Sequence, residues 1–163
     1  MFFEENACLL ADFAKMSQEA GARSDYVQGG GGNTSVKLSG GLMAIKASGF
    51  CLSDIDTDKG YAVLNGANIR SFYLNNEPSA FENAETSGSE CTKANVVPVE
   101  GLAVLRPSVE AGFHSILKTF VLHTHSVYAN LAACSASCRQ IAQIAFAGAD
   151  YSWAWVPYCN PGV

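Results

Sequence analysis

Two histidines separated by one residue, His123-Thr124-His125, are the sharpest chemical signal in the chain. On a strand, residues i and i+2 project from the same face, so both imidazoles point one way while Thr124 points the other. Neutral imidazole is a good ligand for Zn²⁺ and similar ions, at about 2.0 to 2.1 Å. The plainer alternative is a strand-end pair that faces solvent or bonds backbone carbonyls. Thirteen residues upstream stands Glu110, in a segment Pro107-Ser108-Val109-Glu110 that predicts the first turn of a helix running to about Lys118. The positive end of a helix dipole favours a carboxylate there, and beside two histidines it can ligate a metal or act as an acid/base. Taken singly, such a glutamate stabilises its helix and nothing more. His114 follows on the same helical face, where support or a core hydrogen bond is its commoner role.

A second signal is the run Gly29-Gly30-Gly31-Gly32 followed by Asn33-Thr34-Ser35. It is not a Walker A loop, because Lys37 has the wrong spacing, and Ser35 stands where a dinucleotide fingerprint needs its third glycine. What remains is bare backbone whose N–H groups can approach an anion, with the side chains of Asn33, Thr34 and Ser35 as further donors. Lys46-Ala47-Ser48-Gly49 forms another small loop carrying a cation and a hydroxyl, and Ser108 offers a third set of donors. Together they suit a phosphate or carboxylate, although tight turns also account for the glycines.

These groups need a scaffold. With 163 residues, 48% of them apolar and 15% charged, the chain can bury a real core as one domain over residues 1–163. A net charge of −5 without a basic stripe argues against nucleic acid and anionic membranes as partners. No apolar run is long enough to span a bilayer, and Glu4 and Glu5 stand where a signal peptide would be basic, then apolar; the expected location is the cytosol. Six cysteines without a framework spacing are expected as free, mostly buried thiols. Cys134 and Cys138 lie one helical turn apart, but their spacing fits no usual structural zinc pattern.

Helical periodicity covers Phe3 to Gly21. Thr34–Leu38 and Leu42–Ala47, joined by Ser39-Gly40-Gly41, read as a hairpin. Further strands are expected at Tyr61–Leu64, Ile69–Tyr73, Phe120–Thr124 and Ser152–Tyr158, with helices at Val127–Cys134 and Gln140–Phe146. Between Asn75 and Lys93 the polar composition predicts a long surface excursion. The turn signal Asn160-Pro161-Gly162 straight after a strand suggests a shortened domain.

Four segments in order, Gly32-Asn33-Thr34-Ser35-Val36-Lys37, Ile45-Lys46-Ala47-Ser48-Gly49-Phe50, Arg106-Pro107-Ser108-Val109-Glu110-Ala111-Gly112-Phe113-His114 and His123-Thr124-His125-Ser126, resemble the class II aldolase/adducin family, the rhamnulose-phosphate aldolase-related bacterial members in particular. The resemblance implies an α/β/α sandwich with a mixed, mainly antiparallel sheet, a homo-oligomer with the tetramer favoured, and a zinc-dependent (or other divalent-metal) lyase acting on a phosphorylated sugar. Carried over by position, Gly32, Asn33, Thr34, Ser48, Gly49 and Ser108 bind phosphate, with Lys46 and His114 in support. His123, His125 and Glu110 hold the metal, and Glu110 is the catalytic acid/base. Two family features have no counterpart: a third, downstream zinc histidine, and a proton-donating tyrosine, where the chain has Gln143-Ile144-Ala145-Phe146; Tyr151 and Tyr158 are candidate substitutes that no motif supports. Epimerases, dehydratases and non-catalytic adducin-like binding domains share these motif positions and remain alternatives.

Overall fold

The computed structural model describes residues 1–157. Its centre is a four-stranded sheet in the order β3-β2-β1-β4, antiparallel throughout, built from β1 (Asn33–Lys37), β2 (Leu42–Lys46), β3 (Tyr61–Asn65) and β4 (Phe120–His123). The expected hairpin is present: β1 and β2 pair with Ser35 opposite Ile45, and a 3₁₀ turn at Ser39–Gly41 closes it, Gly40 and Gly41 both taking positive φ.

Alternation in the strands divides the core into two layers. Val36, Leu38, Ala44, Tyr61 and Val63 face helix α2 (Ala7–Gly21), which contributes Leu10 and Phe13; the Phe13 and Tyr61 rings meet edge-on at 5.6 Å. Met43, Ile45 and Leu64 face the other way, against Ile69 of α3 (Gly66–Asn75) and Ala111 of α5 (Ala111–Ile116). Sheet and helices on both faces form the expected sandwich, and among the described residues the strands pair antiparallel, without the parallel pairs of a mixed sheet.

The structure corrects several expectations. The first helix is interrupted: α1 (Phe2–Glu5) ends where Asn6 leaves helical geometry, because the buried Asn6 side chain bonds Phe2 O and the Ser39 amide. Ile69–Tyr73 is not a strand. Asn65 caps α3 by accepting from the Asn68 amide at 3.0 Å, and Ile69, Phe72 and Tyr73 then fall at helical spacing. The polar excursion contains α4 (Ala84–Ala94), capped by Asn83, with the small residues Gly88 and Thr92 forming its buried face. The helix expected from Pro107 begins only at Ala111 and ends at Ile116. Pro107 instead makes an isolated bridge to Ala47, and the Ser108 hydroxyl accepts the Glu110 amide, which holds this stretch out of the helix. Two helices follow β4, α6 (Val127–Ala133) and α7 (Cys138–Ala145). Residues 152–157 form no strand, and Tyr158 and Cys159 lie outside the described residues. The remaining five cysteines are free, and none is buried.

Candidate functional site

Strand register builds the site. Pairing of β1 with β4 sets Asn33 directly opposite His123 on the face that α5 covers. Asn33 is 1% exposed, and its amide Nδ2 donates both to Ser108 Oγ at 2.6 Å and to Glu110 Oε2 at 2.8 Å. Glu110 occupies the N-cap position of α5, and its carboxylate meets His123 Nδ1 at 3.1 Å. Three segments distant in sequence thus converge on one carboxylate. His114, one turn further along α5, is fully buried; its Nδ1 pairs with Ser35 Oγ at 2.8 Å and its Nε2 lies 3.9 Å from Glu110 Oε2.

Burial works against the charge on Glu110, but the hydrogen bonds from His123 and Asn33 outweigh it and hold the carboxyl at about 2. The same contact raises His123 above its ordinary value, against burial. Desolvation pushes His114 down to about 4, more than Glu110 can offset, so at neutral pH it is uncharged and its approach to Glu110 is not an ion pair.

His125 comes within reach of the pair: its ring lies 4.9 Å from that of His123, centre to centre, but beyond the last paired residue of β4. The glycine run lies over it. A Cβ on Gly31 would sit 3.0 Å from His125 Nδ1, and one on Gly32, where φ is +73°, would come within 2.6 Å of Val27 and 2.9 Å of the His123 carbonyl. Close packing against the histidine strand is therefore what these two glycines permit.

The donors expected around an anion are only partly brought together. Ser48, Gly49 and Ser108 lie on adjoining segments, since the Ser48 amide donates to Arg106 O at 2.9 Å. Lys46 is buried and ties two loops, donating to Gly30 O at 3.2 Å and Phe50 O at 2.8 Å; desolvation lowers its pKa. Thr34 is not in the cradle. Its side chain turns to the opposite face of the sheet, where its hydroxyl shares a 2.7 Å hydrogen bond with Ser17 of α2. Asn33 is an internal clamp, and Arg106, whose Nη2 donates to Ser48 Oγ at 2.6 Å, stands at the cradle without having been singled out in the sequence. Its place beside Pro107 was the available signal.

Two atoms bound to one cation at about 2.0 to 2.1 Å, at an angle near 100°, lie about 3.1 Å apart. The Glu110–His123 separation has that value and is equally that of the hydrogen bond the two side chains make. Among the described residues no group of three or more His, Cys, Asp or Glu side chains is placed to hold a metal, the Cys134–Cys138 pair included.

The fold is that of a class II aldolase domain. It is similar to the solved N-terminal Class II Aldolase domain of a conserved protein from Thermoplasma acidophilum, at 25% identity and a TM-score of 0.63 over 81% of this chain and 62% of that one. The profile of the Class II Aldolase and Adducin N-terminal domain matches residues 11–163, and the chain belongs to that family. It spans less than two thirds of the length of the Thermoplasma structure. No curated protein matches it. Among the described residues, no helix is long and apolar enough to cross a membrane.

Proposed function

We propose that this chain is an aldehyde-lyase domain that cleaves a ketose 1-phosphate into dihydroxyacetone phosphate and an aldehyde, with zinc or another divalent cation, as a cytosolic homo-oligomer. The observation that carries the reading is the Glu110 carboxylate, fixed by Asn33 and facing His123 at 3.1 Å. Family membership supports it, since class II aldolases generally depend on a divalent metal.

Glu110 and His123 would hold the cation, with His125, whose ring lies 4.9 Å from that of His123, as a further candidate ligand. A divalent ion there supplies Lewis acidity that stabilises the negative charge developing on the substrate oxygens. Breaking the carbon–carbon bond turns a hydroxyl of the departing fragment into the aldehyde and leaves the bond's electron pair on the three-carbon fragment; Glu110 would take up that hydroxyl proton and return it to the carbon. A carboxyl held at about 2 is a poor proton acceptor at neutral pH. Without the His123 hydrogen bond, burial, which raises the proton affinity of the carboxyl, would weigh more, whereas a cation on the carboxylate would act the other way. Asn33 keeps Glu110 in place while the proton moves, and the loops around Ser48 and Ser108 orient the substrate by its phosphate.

The test combines elemental analysis with an assay for dihydroxyacetone phosphate released from fuculose and rhamnulose 1-phosphates. Near-stoichiometric metal should disappear in His123→Ala, and Glu110→Gln should lower turnover by roughly 10² or more. Ordered wild-type protein that neither retains metal nor cleaves either ketose would leave an adducin-like binding domain in place of the lyase.

A further inference from the structure

The mechanism above leaves Arg106 without a task. The bridge between Ala47 and Pro107 fixes its main chain against the end of β2, and the bond from the Ser48 amide to its carbonyl repeats that attachment. Its guanidinium is exposed, donates to Ser48 Oγ at 2.6 Å, and takes part in none of the ion pairs found among the described residues. A serine hydroxyl that accepts from a guanidinium keeps its own hydrogen for another acceptor, and four guanidinium N–H groups remain. Next to Ser48, Gly49 takes φ +92° with nothing within 4 Å of the position of a Cβ, so the loop is open on that side. Two residues before Ser48, the Lys46 ammonium is bonded to the loop carbonyls of Gly30 and Phe50, and two residues beyond Arg106 the Ser108 hydroxyl joins Asn33 to the Glu110 amide.

We propose that Arg106 binds the terminal phosphate of the ligand, with Ser48 as its orienting partner and co-donor, and that this pair selects a phosphate monoester over a carboxylate. A planar fork of donors matches two oxygens of a phosphate, and a dianion gains more than a monoanion from a guanidinium. Because Arg106 is four residues before Glu110, the same segment carries both anchor and acid/base. The inference deepens the sugar-phosphate reading and takes the class of ligand from it.

Calorimetric titration of the full chain with inorganic phosphate, and with acetate for comparison, tests this without relying on turnover. The wild type should bind phosphate more tightly than acetate, and added chloride should weaken it. Arg106→Gln should lose phosphate affinity by roughly ten- to a hundred-fold, the range for a hydrogen bond to a charged group. Arg106→Lys should lose less, and Ser48→Ala should lose several-fold with its circular dichroism unchanged. A wild type that binds no phosphate, or an Arg106→Gln protein that binds it as the wild type does, overturns the proposal. Should Arg106→Gln fail to fold, a folded Arg106→Lys protein with undiminished affinity overturns it equally. Phosphate binding that depends on Arg106, in a protein that cleaves no ketose phosphate, would remove the lyase reading and leave this one standing.

Discussion

Glu110 stays charged in a half-buried position because groups from three elements face it, and that arrangement makes stability depend on pH in a definite direction. Its carboxyl is held at about 2 against an ordinary 4.5, so its contribution is complete above about 4.5 and is lost as pH falls towards 2. His114, held at about 4 against 6.5, contributes fully above 6.5 and loses that contribution down to 4, since the unfolded chain takes up a proton that the folded chain refuses. His123 is shifted up, so its part is complete below 6.5 and disappears as pH rises through its folded value. Urea midpoints measured from neutral pH to about pH 3 should fall continuously below 6.5. His114→Gln should flatten the segment between 6.5 and 4, and Glu110→Gln the segment below 4.5. A wild-type midpoint unchanged between 6.5 and 4 would show that His114 is protonated without cost in the folded chain.

At the scale of elements, the position of α5 decides where Glu110 points, and α5 is set by its contact with α3. A Cβ on Gly112 would lie 2.5 to 2.7 Å from the Tyr73 ring. The ring is wedged against the helix backbone and cannot be displaced cheaply, so Gly112→Ala should cost about 1 to 3 kcal/mol and shift Glu110 away from His123. Pairing it with Tyr73→Leu should recover part of the loss, and strictly additive effects would mean that the two residues do not meet. The same contact shows where sequence reading stops. Strand alternation was legible, which is why the hairpin and β3 could be read from local pattern, whereas β4 ends at His123 and leaves His125 outside the paired strand. Five residues such as Ile69–Tyr73 carry too few periods to separate helix from strand, and the deciding group was the cap Asn65 outside them. In α4 the buried face consists of Gly88 and Thr92, which no hydrophobic pattern marks. Thr34 and Asn33 looked equivalent as donors. Alternation sends one to Ser17 and the other to Glu110, a difference visible only once the faces of β1 were assigned.

The molecule as a whole is unevenly packed, and the candidate metal pair lies at the boundary. Buried residues occur from Asn6 to Val121, and none of the described residues after Val121 is buried. β4 forms one edge of the sheet, and on the face it shares with α2 the side chains of Phe120 and Leu122 remain 39% and 43% exposed. Helices α6 and α7 are short and leave Leu131 and Ile144 at 73% and 70% exposure, so little apolar burial opposes their opening. Hydrogen exchange should therefore show at least two levels. Amides of β1, β2 and β3 should exchange only with global unfolding, while those of α6 and α7 exchange at least ten- to a hundred-fold faster through a local opening. The opening would begin just beyond His123, whose strand is held to β1 on one side only. A ligand bridging Glu110 and His123 ties that boundary to α5. Saturating Zn²⁺ should then slow exchange at residues 120–126 in the wild type and leave it unchanged in His123→Ala, with the β2 amides as the internal reference. Equal protection of α7 and β2 in metal-free protein would show that the segment after β4 unfolds together with the sheet.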